Sequence, residues 1–421
     1  MLVAGGGTAG VAAAVAAARQ GARVLLVEGM GFLGGTLSAV SLGSIVGFFT
    51  VVEGEPRSIV RGLAAELVER LRAIGGAGQP KRFLKTASVP YDVFALKLVC
   101  DALVQSAGVR LLLHAWVTNV IMDGPRLRGL VVESKSGRFA LLAPTVIDCT
   151  GDADVAALAG APFELDREHL QQASTMFRVA GADTDQVERL SREEFHAALE
   201  RAVAEGWELP RTAGGFFAAP GRPGLAHLNI TRVSLNGQPV DATDVWQLTA
   251  AEVEGRRQVR LYEQVLPRYV PGLDGAFVVD TGATLGVRET RRIAGEYMVS
   301  VDDVLGARKF ADAVGCNAWP LEVHDRSRAT VWRWLEPGAY YQLPYRMLLP
   351  QRVEGLLVAG RCAAASHEAQ ASTRAGAACI AMGEAAGVAA AMATQQGVSL
   401  RGVNVGELQA RLRRQGAFLG D

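Results

Sequence analysis

The sequence lacks the features of several common protein classes. Its 421 residues carry no excess charge, because 43 acidic residues balance 43 basic ones, so no surface for nucleic acid is expected. None of the five cysteines stands in a C-x-x-C pair, which argues against a dithiol redox centre, a zinc ribbon and an iron–sulfur cluster. We therefore expect no metal site. Scattered cysteines of odd number favour a reducing compartment, and the predicted location is the cytoplasm.

A membrane-spanning segment and a signal peptide are not expected either. No charged segment precedes an apolar run at the amino terminus. Residues Gly31 to Val52 form an uncharged run that is long enough to cross a bilayer. Because glycine, serine and threonine interrupt this run, we interpret it as a buried loop and strand rather than a membrane span.

Glycine, by contrast, is abundant, with 48 residues, and the most informative glycines lie at the start of the chain. A short apolar strand, residues 1–4, runs into the pattern G-x-G-x-x-G at residues 5–10. An alanine-rich helix over residues 11–20 follows, and a second strand over residues 22–27 ends in Glu28. This order of strand, glycine loop, helix and strand-end carboxylate is typical of a Rossmann-type dinucleotide site.

Each part of this motif has a mechanical reason. Gly5 allows the tight turn, Gly7 lets the backbone approach a pyrophosphate, and Gly10 lets the helix pack close to the strand. The N-terminus of the helix offers unpaired N–H groups to the phosphates. Glu28 can accept hydrogen bonds from ribose hydroxyls and would repel a 2′-phosphate. The alternative is a tight strand-to-helix turn that binds no ligand.

Local patterns predict further elements of the first part of the chain. Apolar residues at a spacing of four predict a helix over Arg57 to Ile74, and Gly75 to Pro90 is interpreted as a loop. Three strand-like runs, Val109 to Met122, Leu127 to Ser134 and Arg138 to Leu142, predict a small antiparallel meander.

Several segments together resemble FAD-dependent oxidoreductases with the glutathione-reductase type of FAD fold. The segments are Gly5 to Glu28, Val146 to Asp152, Gly286 to Glu296, Tyr341 to Arg346, Gly360 to Cys362, His367 to Glu368 and Arg374 to Gly387. The similarity is to the FAD-dependent oxidoreductase family that is related to the fumarate reductase and succinate dehydrogenase flavoproteins.

The resemblance implies an α/β fold with a Rossmann-like FAD-binding domain built from discontinuous segments. Residues 1–162, which include the β-meander, and residues 337–421 would form this domain. The segment between them, residues 163–336, mixes charged helices with Gly/Pro-rich turns and concentrates aromatic residues. We expect it to form an inserted α+β substrate or cap domain.

The resemblance also implies an FAD site. The pyrophosphate would lie along Gly5, Gly7, Thr8, Ala9 and Gly10, and Glu28 would bind the adenosine ribose. The ribityl chain and flavin would be approached by Gly34, Gly35 and Thr36, and the backbone of Val117 would read the adenine edge. The cofactor would also lie beside Thr150, Gly151 and Asp152 and, late in the chain, beside Gly360 and Arg361.

The start of a later helix has a physical argument of its own. Ala375, Gly376 and Ala377 have small side chains, so backbone N–H groups at this helix start are accessible. If the positive end of the helix points at the flavin, it stabilises an anionic reduced flavin. The alternative is a small-residue face that packs on the sheet.

Candidate catalytic residues are cationic or titratable. The resemblance implies that Arg374 takes the place of a substrate-facing arginine of the fumarate-reductase relatives, with His367 upstream of it. Arg288 can bind a substrate carboxylate, and the alternative for it is an interdomain salt bridge. His367 has either a functional or a capping role, and His324 is a weaker candidate for which a structural role is favoured.

These residues favour an FAD-dependent oxidoreductase that transfers a hydride to or from a small organic substrate, which we expect to be a carboxylate. The chain has no second glycine-rich unit for NAD(P)H and no redox cysteine pair, so a pyridine-nucleotide disulfide reductase is not expected. The alternatives are a flavin subunit that relays electrons to a redox partner protein, and a flavin monooxygenase.

Overall fold

The computed structural model describes residues 1–325 and 330–420. Strands and helices are numbered here in chain order. The elements up to residue 162 are β1 (Leu2–Ala4), α1 (Thr8–Arg19), β2 (Leu25–Val27), α2 (Thr36–Ala39), β3 (Ser44–Ile45), β4 (Phe49–Val52), β5 (Glu55–Ser58), α3 (Leu63–Ala73), β6 (Lys81–Phe83), β7 (Thr86–Pro90), α4 (Val93–Ser106), β8 (Arg110–Leu112), β9 (Trp116–Asp123), β10 (Arg126–Ser134), β11 (Gly137–Leu142), β12 (Val146–Asp148) and α5 (Asp154–Leu158).

The middle and last parts of the chain continue this numbering. The middle part contains β13 (Phe163–Glu164), β14 (Phe177–Ala180), α6 (Thr184–Arg189), α7 (Arg192–Ala204), β15 (Gly215–Ala218), β16 (Ala226–Asn229), α8 (Val245–Tyr269), β17 (Phe277–Thr281), β18 (Arg292–Ile293), α9 (Val301–Leu305), β19 (Ala313–Asn317), β20 (Leu321–Val323) and β21 (Val331–Arg333). The last part contains β22 (Tyr341–Pro344), a 3₁₀ turn (Tyr345–Leu348), β23 (Leu356–Val358), α10 (His367–Thr373), α11 (Gly376–Gln396), a second 3₁₀ turn (Leu400–Gly402) and α12 (Val405–Arg414).

A five-stranded sheet in the order β23-β12-β1-β2-β8 forms the centre of the protein. All its neighbouring strands are parallel, and Leu2 pairs with Leu25 on one side and Val146 on the other. Strands β12 and β23 lie side by side although residues 149–355 separate them in sequence. The polypeptide therefore leaves this sheet and returns to it. The predicted α/β class with a Rossmann-like unit is confirmed.

Helices α1 and α11 pack on this sheet and on each other. Alanine fills most of their buried positions, so the two backbones approach closely. A Cβ on Gly387 would stand 2.2 Å from the carbonyl oxygen of Ala13. Within the described part of the chain, α11 alone is long and apolar enough to cross a membrane, and 89% of its apolar stretch is buried inside the protein.

Antiparallel sheets complete the fold. Strands β9, β10 and β11 form the predicted meander. A four-stranded sheet in the order β15-β16-β14-β17 carries α7 and α8, and its own core includes Phe177 stacked on Tyr262. This second core lies within residues 163–336, and the exact domain boundaries stay a prediction.

Some local predictions are wrong in detail. The helix predicted over Arg57 to Ile74 begins only at Leu63, because Arg57 and Ser58 belong to strand β5, which pairs with β4. The loop predicted over Gly75 to Pro90 contains the β6–β7 hairpin. The single strand predicted over Val109 to Met122 is divided into β8 and β9. His114 has a φ of 55°, which turns the chain from the central sheet into the meander.

Candidate active site

The glycine loop after β1 is built so tightly that side chains are excluded. Gly5 has a φ of 92°, and a Cβ there would stand 2.5 Å from the carbonyl oxygen of Cys149. A Cβ on Gly10 would stand 1.8 Å from the carbonyl oxygen of Gly5. Both positions therefore require glycine, one for the left-handed turn and one for the close approach of α1.

Several backbone segments meet at the N-terminus of α1. The Gly34 N–H donates to the Gly6 carbonyl at 2.9 Å, and Gly35, with a φ of 52°, lies so close that its Cβ would stand 2.6 Å from the Cα of Gly7. Gly360, at the end of β23, has its Cβ position 3.2 Å from Ala9. No side chain caps α1, whose N-cap is Gly7, and its first turn holds no acidic residue. A cradle of backbone around an uncapped helix N-terminus fits a pyrophosphate.

Glu28 is held by backbone donors beside this cradle. Its Oε2 accepts from the Gly6 N–H at 2.5 Å and its Oε1 accepts from the Met30 N–H at 2.7 Å. Burial raises the pKa of Glu28, and the backbone donors of Met30, Gly6 and Gly29 oppose this rise. Each carboxylate oxygen keeps a second lone pair, so the fixed side chain can still accept a ribose hydroxyl.

Trp116 is an aromatic residue near Glu28 that sequence reasoning missed. Its indole lies on Gly29, where a Cβ would stand 2.9 Å from ring atoms, and 58% of its surface is exposed. The Ala115 N–H donates to the Glu28 carbonyl, which brings Val117 on β9 to the same end of the cradle. The only sequence signal for Trp116 was its position next to Val117.

The turn after β12 is organised by Asp148, which is also a residue that sequence reasoning did not select. This fully buried carboxylate accepts from the Thr150 N–H at 3.0 Å, from the Thr150 hydroxyl at 2.7 Å and from the Ala156 N–H at 3.0 Å. Burial raises the pKa of Asp148, while these donors oppose the rise. The hydroxyl of Thr150 therefore shapes the turn.

Arg361 joins this turn to the end of β23. Its Nη2 donates to Asp152 Oδ1 at 2.9 Å and lies 2.8 Å from the Cβ position of Gly151, whose φ is 83°. Its Nη1 is buried without a hydrogen-bond partner. A buried donor without a partner costs free energy unless a ligand accepts from it. Arg361 therefore fits an acceptor atom on a bound cofactor.

The N-terminus of α11 lies near the cradle, but two of its three predicted donors are already used. The Ala375 N–H donates to Ser372 at 3.1 Å and the Ala377 N–H donates to the Val46 carbonyl at 3.1 Å. The helix has no side-chain cap. The Gly376 N–H is thus the predicted donor that remains for a ligand.

Arg374 immediately precedes this helix. Its Nη2 donates to Gln171 Oε1 at 3.2 Å and to the Glu322 carbonyl at 3.3 Å, and its Nε is buried without a partner. Burial lowers the pKa of Arg374, and the charges of Glu322 and Glu289 oppose this. Arg374 is therefore a half-buried cation whose buried Nε is free to bind a ligand.

Arg374 is one of three arginines whose charges act on the buried Arg288. Arg288 is 6% exposed, and its Nη1 donates to the Gln172 carbonyl at 2.6 Å and to Ser174 Oγ at 2.9 Å. Burial, and then the charge of Arg374, lowers the pKa of Arg288. The charges of Arg211 and Arg232, which are both buried, also lower the pKa of Arg288. Neither of these two residues was selected from the sequence. We call these four residues the arginine cluster.

Glu322 and His324 lie within the arginine cluster. Burial alone would raise the pKa of Glu322, but the hydrogen bond from His324 and the charges of Arg374 and Arg288 outweigh burial and lower it to about 2. His324 Nε2 lies 3.0 Å from Glu322 Oε1, and its Nδ1 lies 3.4 Å from Arg232 Nη2. Burial and the charge of Arg288 lower the pKa of His324. A neutral ring fits both contacts, which favours a positioning role for His324.

His367 occupies a different environment, at the start of α10. Its Nδ1 lies 2.9 Å from Glu289 Oε1, and this hydrogen bond raises the pKa of His367. The buried Glu289 also accepts from Arg292 Nε at 3.0 Å. Arg291 pairs with Asp154. Of the three neighbouring arginines 288, 291 and 292, only Arg288 belongs to the arginine cluster.

Solved structures with similarity to this chain share little sequence with it. A geranylgeranyl bacteriochlorophyll reductase-like protein from Thermoplasma acidophilum is 14% identical, with 98% of this chain and 81% of that chain covered at a TM-score of 0.47. The p-nitrophenol 4-monooxygenase of Pseudomonas putida is 15% identical, with 70% and 68% covered at 0.39. The myxobacterial chondrochloren halogenase is 15% identical, with 98% and 78% covered at 0.46.

The family assignment comes from the sequence. No curated protein is significantly similar to the chain. The sequence model of the family described as FAD dependent oxidoreductase matches residues 1–412, which is nearly the whole chain. The chain therefore belongs to the FAD dependent oxidoreductase family, and FAD is its cofactor.

Proposed function

We propose that this oxidoreductase transfers a hydride between FAD and a small organic acid. When bound, FAD supplies the two-electron centre that accepts or donates the hydride. The observation that carries the proposal is Arg374, a half-buried arginine that directly precedes α11 and whose buried Nε has no partner among the described residues. A cation at this position suits a substrate carboxylate held beside the cofactor.

The arginines provide both binding and charge stabilisation. Arg374 binds a carboxylate through charge-assisted hydrogen bonds in a fixed geometry. The charges of Arg288 and Arg374 repel each other, which is one cause of the lowered pKa of Arg288, while the charge of Glu322 opposes this lowering. An anionic substrate relieves this repulsion. The same cations offset negative charge that develops on the substrate during the reaction.

Two groups near Arg374 have supporting roles. The Gly376 N–H, at the uncapped start of α11, offers a donor and the positive end of a helix where negative charge accumulates. Glu289 fixes the ring of His367 through Nδ1. Among the described residues Nε2 of His367 has no hydrogen-bond partner, so this nitrogen can take or give a proton.

We also infer a relationship to the fumarate reductase and succinate dehydrogenase flavoproteins with a glutathione-reductase-type FAD domain. The support is the pairing of His367 and Arg374, which lie at the two ends of α10. Glu289 acts on both residues, because it hydrogen-bonds His367 and its charge raises the pKa of Arg374.

The proposal is tested by mixing the FAD-loaded enzyme anaerobically with a panel of organic acids in a stopped-flow spectrometer. Loss of the oxidised flavin absorbance with an acid, or its return when the reduced enzyme meets an unsaturated acid, is the expected result. Reduction by NADPH followed by oxygen-dependent hydroxylation would instead identify a monooxygenase. Turnover only with a separate redox protein would identify an electron-relay subunit.

We further propose that the enzyme works in the cytoplasm. The support is chemical: all five cysteines are free thiols and buried, which suits a reducing compartment. Fractionation of cells that express the protein, followed by immunodetection, tests this location.

A further inference from the structure

A cavity of about 510 Å³ lies where the β6–β7 hairpin meets α6, α7 and β15. Four phenylalanines contribute to its wall, Phe83 from the hairpin, Phe195 from α7, and Phe216 and Phe217 from β15, and charged residues also line it. This volume lies in the usual range for sites of drug-sized ligands, which are mostly apolar with a few placed polar groups.

Two connections join this cavity to the arginine cluster. Phe83, in the cavity wall, stacks on Trp319 with ring centroids 5.9 Å apart, and Trp319 Nε1 donates to Glu322 Oε2 at 3.0 Å. Arg192 also lines the cavity. The charge of Arg192 lowers the pKa of Arg211, and the charge of Glu322 raises the pKa of Arg192. The aromatic cavity and the arginine cluster are therefore neighbouring parts of one region.

Among the described residues, two buried donor atoms of the arginine cluster have no hydrogen-bond partner. Arg211 is 3% exposed, and although its Nη2 donates to Thr330 Oγ1 at 2.8 Å, its Nε has no hydrogen-bond partner. The Nε of Arg374 is likewise buried and has no hydrogen-bond partner among the described residues. Two buried donors on cations, close to several other arginines, indicate a binding site for an anion.

We propose that the substrate is an organic anion with a large apolar part, whose anionic group binds the arginine cluster and whose apolar part fills the aromatic cavity. This inference rests on the proposed hydride transfer with an organic acid and narrows its substrate class. A short dicarboxylate would satisfy the arginines but would leave the aromatic cavity to water. An aromatic or long-chain acid uses both parts of the region.

Calorimetric titration of the FAD-loaded enzyme tests the substrate class without turnover. The probes are 2-naphthoate and dodecanoate as apolar acids, fumarate as a short acid, and 2-naphthylmethanol as a neutral analogue. At least one apolar acid should bind about tenfold more tightly than both fumarate and the alcohol. If fumarate binds as tightly as both apolar acids, or the alcohol binds as tightly as naphthoate, the proposal is wrong.

Two variants assign the binding to this region. Arg211→Gln should weaken binding of the apolar acid about tenfold and leave the alcohol unchanged, since it removes a charge-assisted donor. Phe217→Ala should weaken the apolar acid and leave fumarate unchanged. Arg260→Gln, at an exposed position of α8, is the matched control and should bind as the parent does. If both Arg211→Gln and Phe217→Ala bind the apolar acid as tightly as the parent enzyme does, the assignment of the binding site to this region is wrong.

Failure of this inference is distinguishable from failure of the proposed function. An apolar acid that binds tightly but never exchanges electrons with the flavin contradicts hydride transfer and leaves the anion site standing. Electron exchange with fumarate, combined with weak binding of both apolar acids, supports hydride transfer and overturns the substrate class.

Discussion

The carbonyl of Ala9 in α1 lies directly against Gly383 in α11, where a Cβ would stand 2.1 Å from the Ala9 oxygen. The two helices touch backbone to backbone at this point. Ala9 belongs to the first turn of α1, beside the pyrophosphate cradle, and α11 begins next to Arg374. One contact between small residues thus ties the cofactor end of the site to the substrate end.

Gly383→Ala should therefore damage both stability and cofactor binding. Its methyl group has no space, and overpacking of this kind costs about 1–3 kcal/mol. We expect a lower free energy of unfolding in urea and weaker FAD binding by fluorescence titration, because α1 must move. Gly406→Ala in α12 is the matched control, since its nearest contact would be at 3.4 Å, and it should keep or raise stability. Parental stability and FAD affinity in Gly383→Ala would contradict this account.

The neighbouring Glu384 should make stability depend on pH. Its Oε2 accepts from the Leu63 N–H at 3.0 Å, while its Oε1 is buried without a partner. Burial raises the pKa of Glu384 from 4.5 to about 7; the Leu63 N–H and Arg19 oppose this rise, and Glu66 adds to it. A carboxyl whose pKa is raised by folding destabilises the protein as it ionises. Stability should fall as the pH rises from 4.5 to about 7, by about 3 kcal/mol in total.

Glu384→Gln should remove this loss. At a fixed excess of FAD, the variant should gain unfolding free energy relative to the parent between about pH 5 and pH 8. Glu69→Gln, at an exposed position of α3, should leave the pH profile unchanged. A difference between Glu384→Gln and the parent that stays constant with pH would show that Glu384 does not titrate in this range.

Arg361 should contribute directly to FAD affinity. Arg361→Gln removes the buried Nη1 that has no partner in the protein, and the dissociation constant of FAD should rise about tenfold. The matched control is Arg128→Gln, because Arg128 also bonds a carboxylate at 2.9 Å, that of the exposed Asp123. Fluorescence quenching on reconstitution measures both. Equal FAD affinity in the two variants would remove Arg361 from the cofactor site.

The parts of the fold that the sequence predicted are those set by local rules. The cradle around Gly5 and Gly10 follows from a spacing that only glycine can satisfy, and the central sheet follows from buried apolar runs. The start predicted for α3 at residue 57 was wrong because apolar spacing cannot separate a helix from a buried strand end. Ile59, for example, is fully buried but bonds to Phe48 outside α3.

The arginine cluster shows what the sequence could not reveal. Arg374 and Arg288 were selected because they lie next to recognisable motifs. Arg211 and Arg232 lie in no motif, and only tertiary packing brings their charges close to Arg288. The hydrogen bond from the Ala377 N–H to the Val46 carbonyl, which makes this donor unavailable to a cofactor, could not be predicted either, because Val46 is remote in sequence. Contacts between distant segments depend on tertiary packing rather than on local pattern.

Arg374 gives the sharpest test of the substrate end of the site. Arg374→Ala removes the cation beside α11 and should lower kcat/KM for an organic acid by about 10²–10³-fold, the usual cost of losing a preorganised donor. Arg374→Lys keeps the charge but loses the planar fork, and it should also be impaired. Both variants should retain FAD in the parental ratio, measured by flavin absorbance after denaturation, because we assign this guanidinium to the substrate rather than to the cofactor. Arg260→Ala on α8 serves as the control for loss of an arginine at an exposed position. Full activity in Arg374→Ala would exclude Arg374 from substrate binding, and loss of FAD would assign it to the wall of the cofactor site.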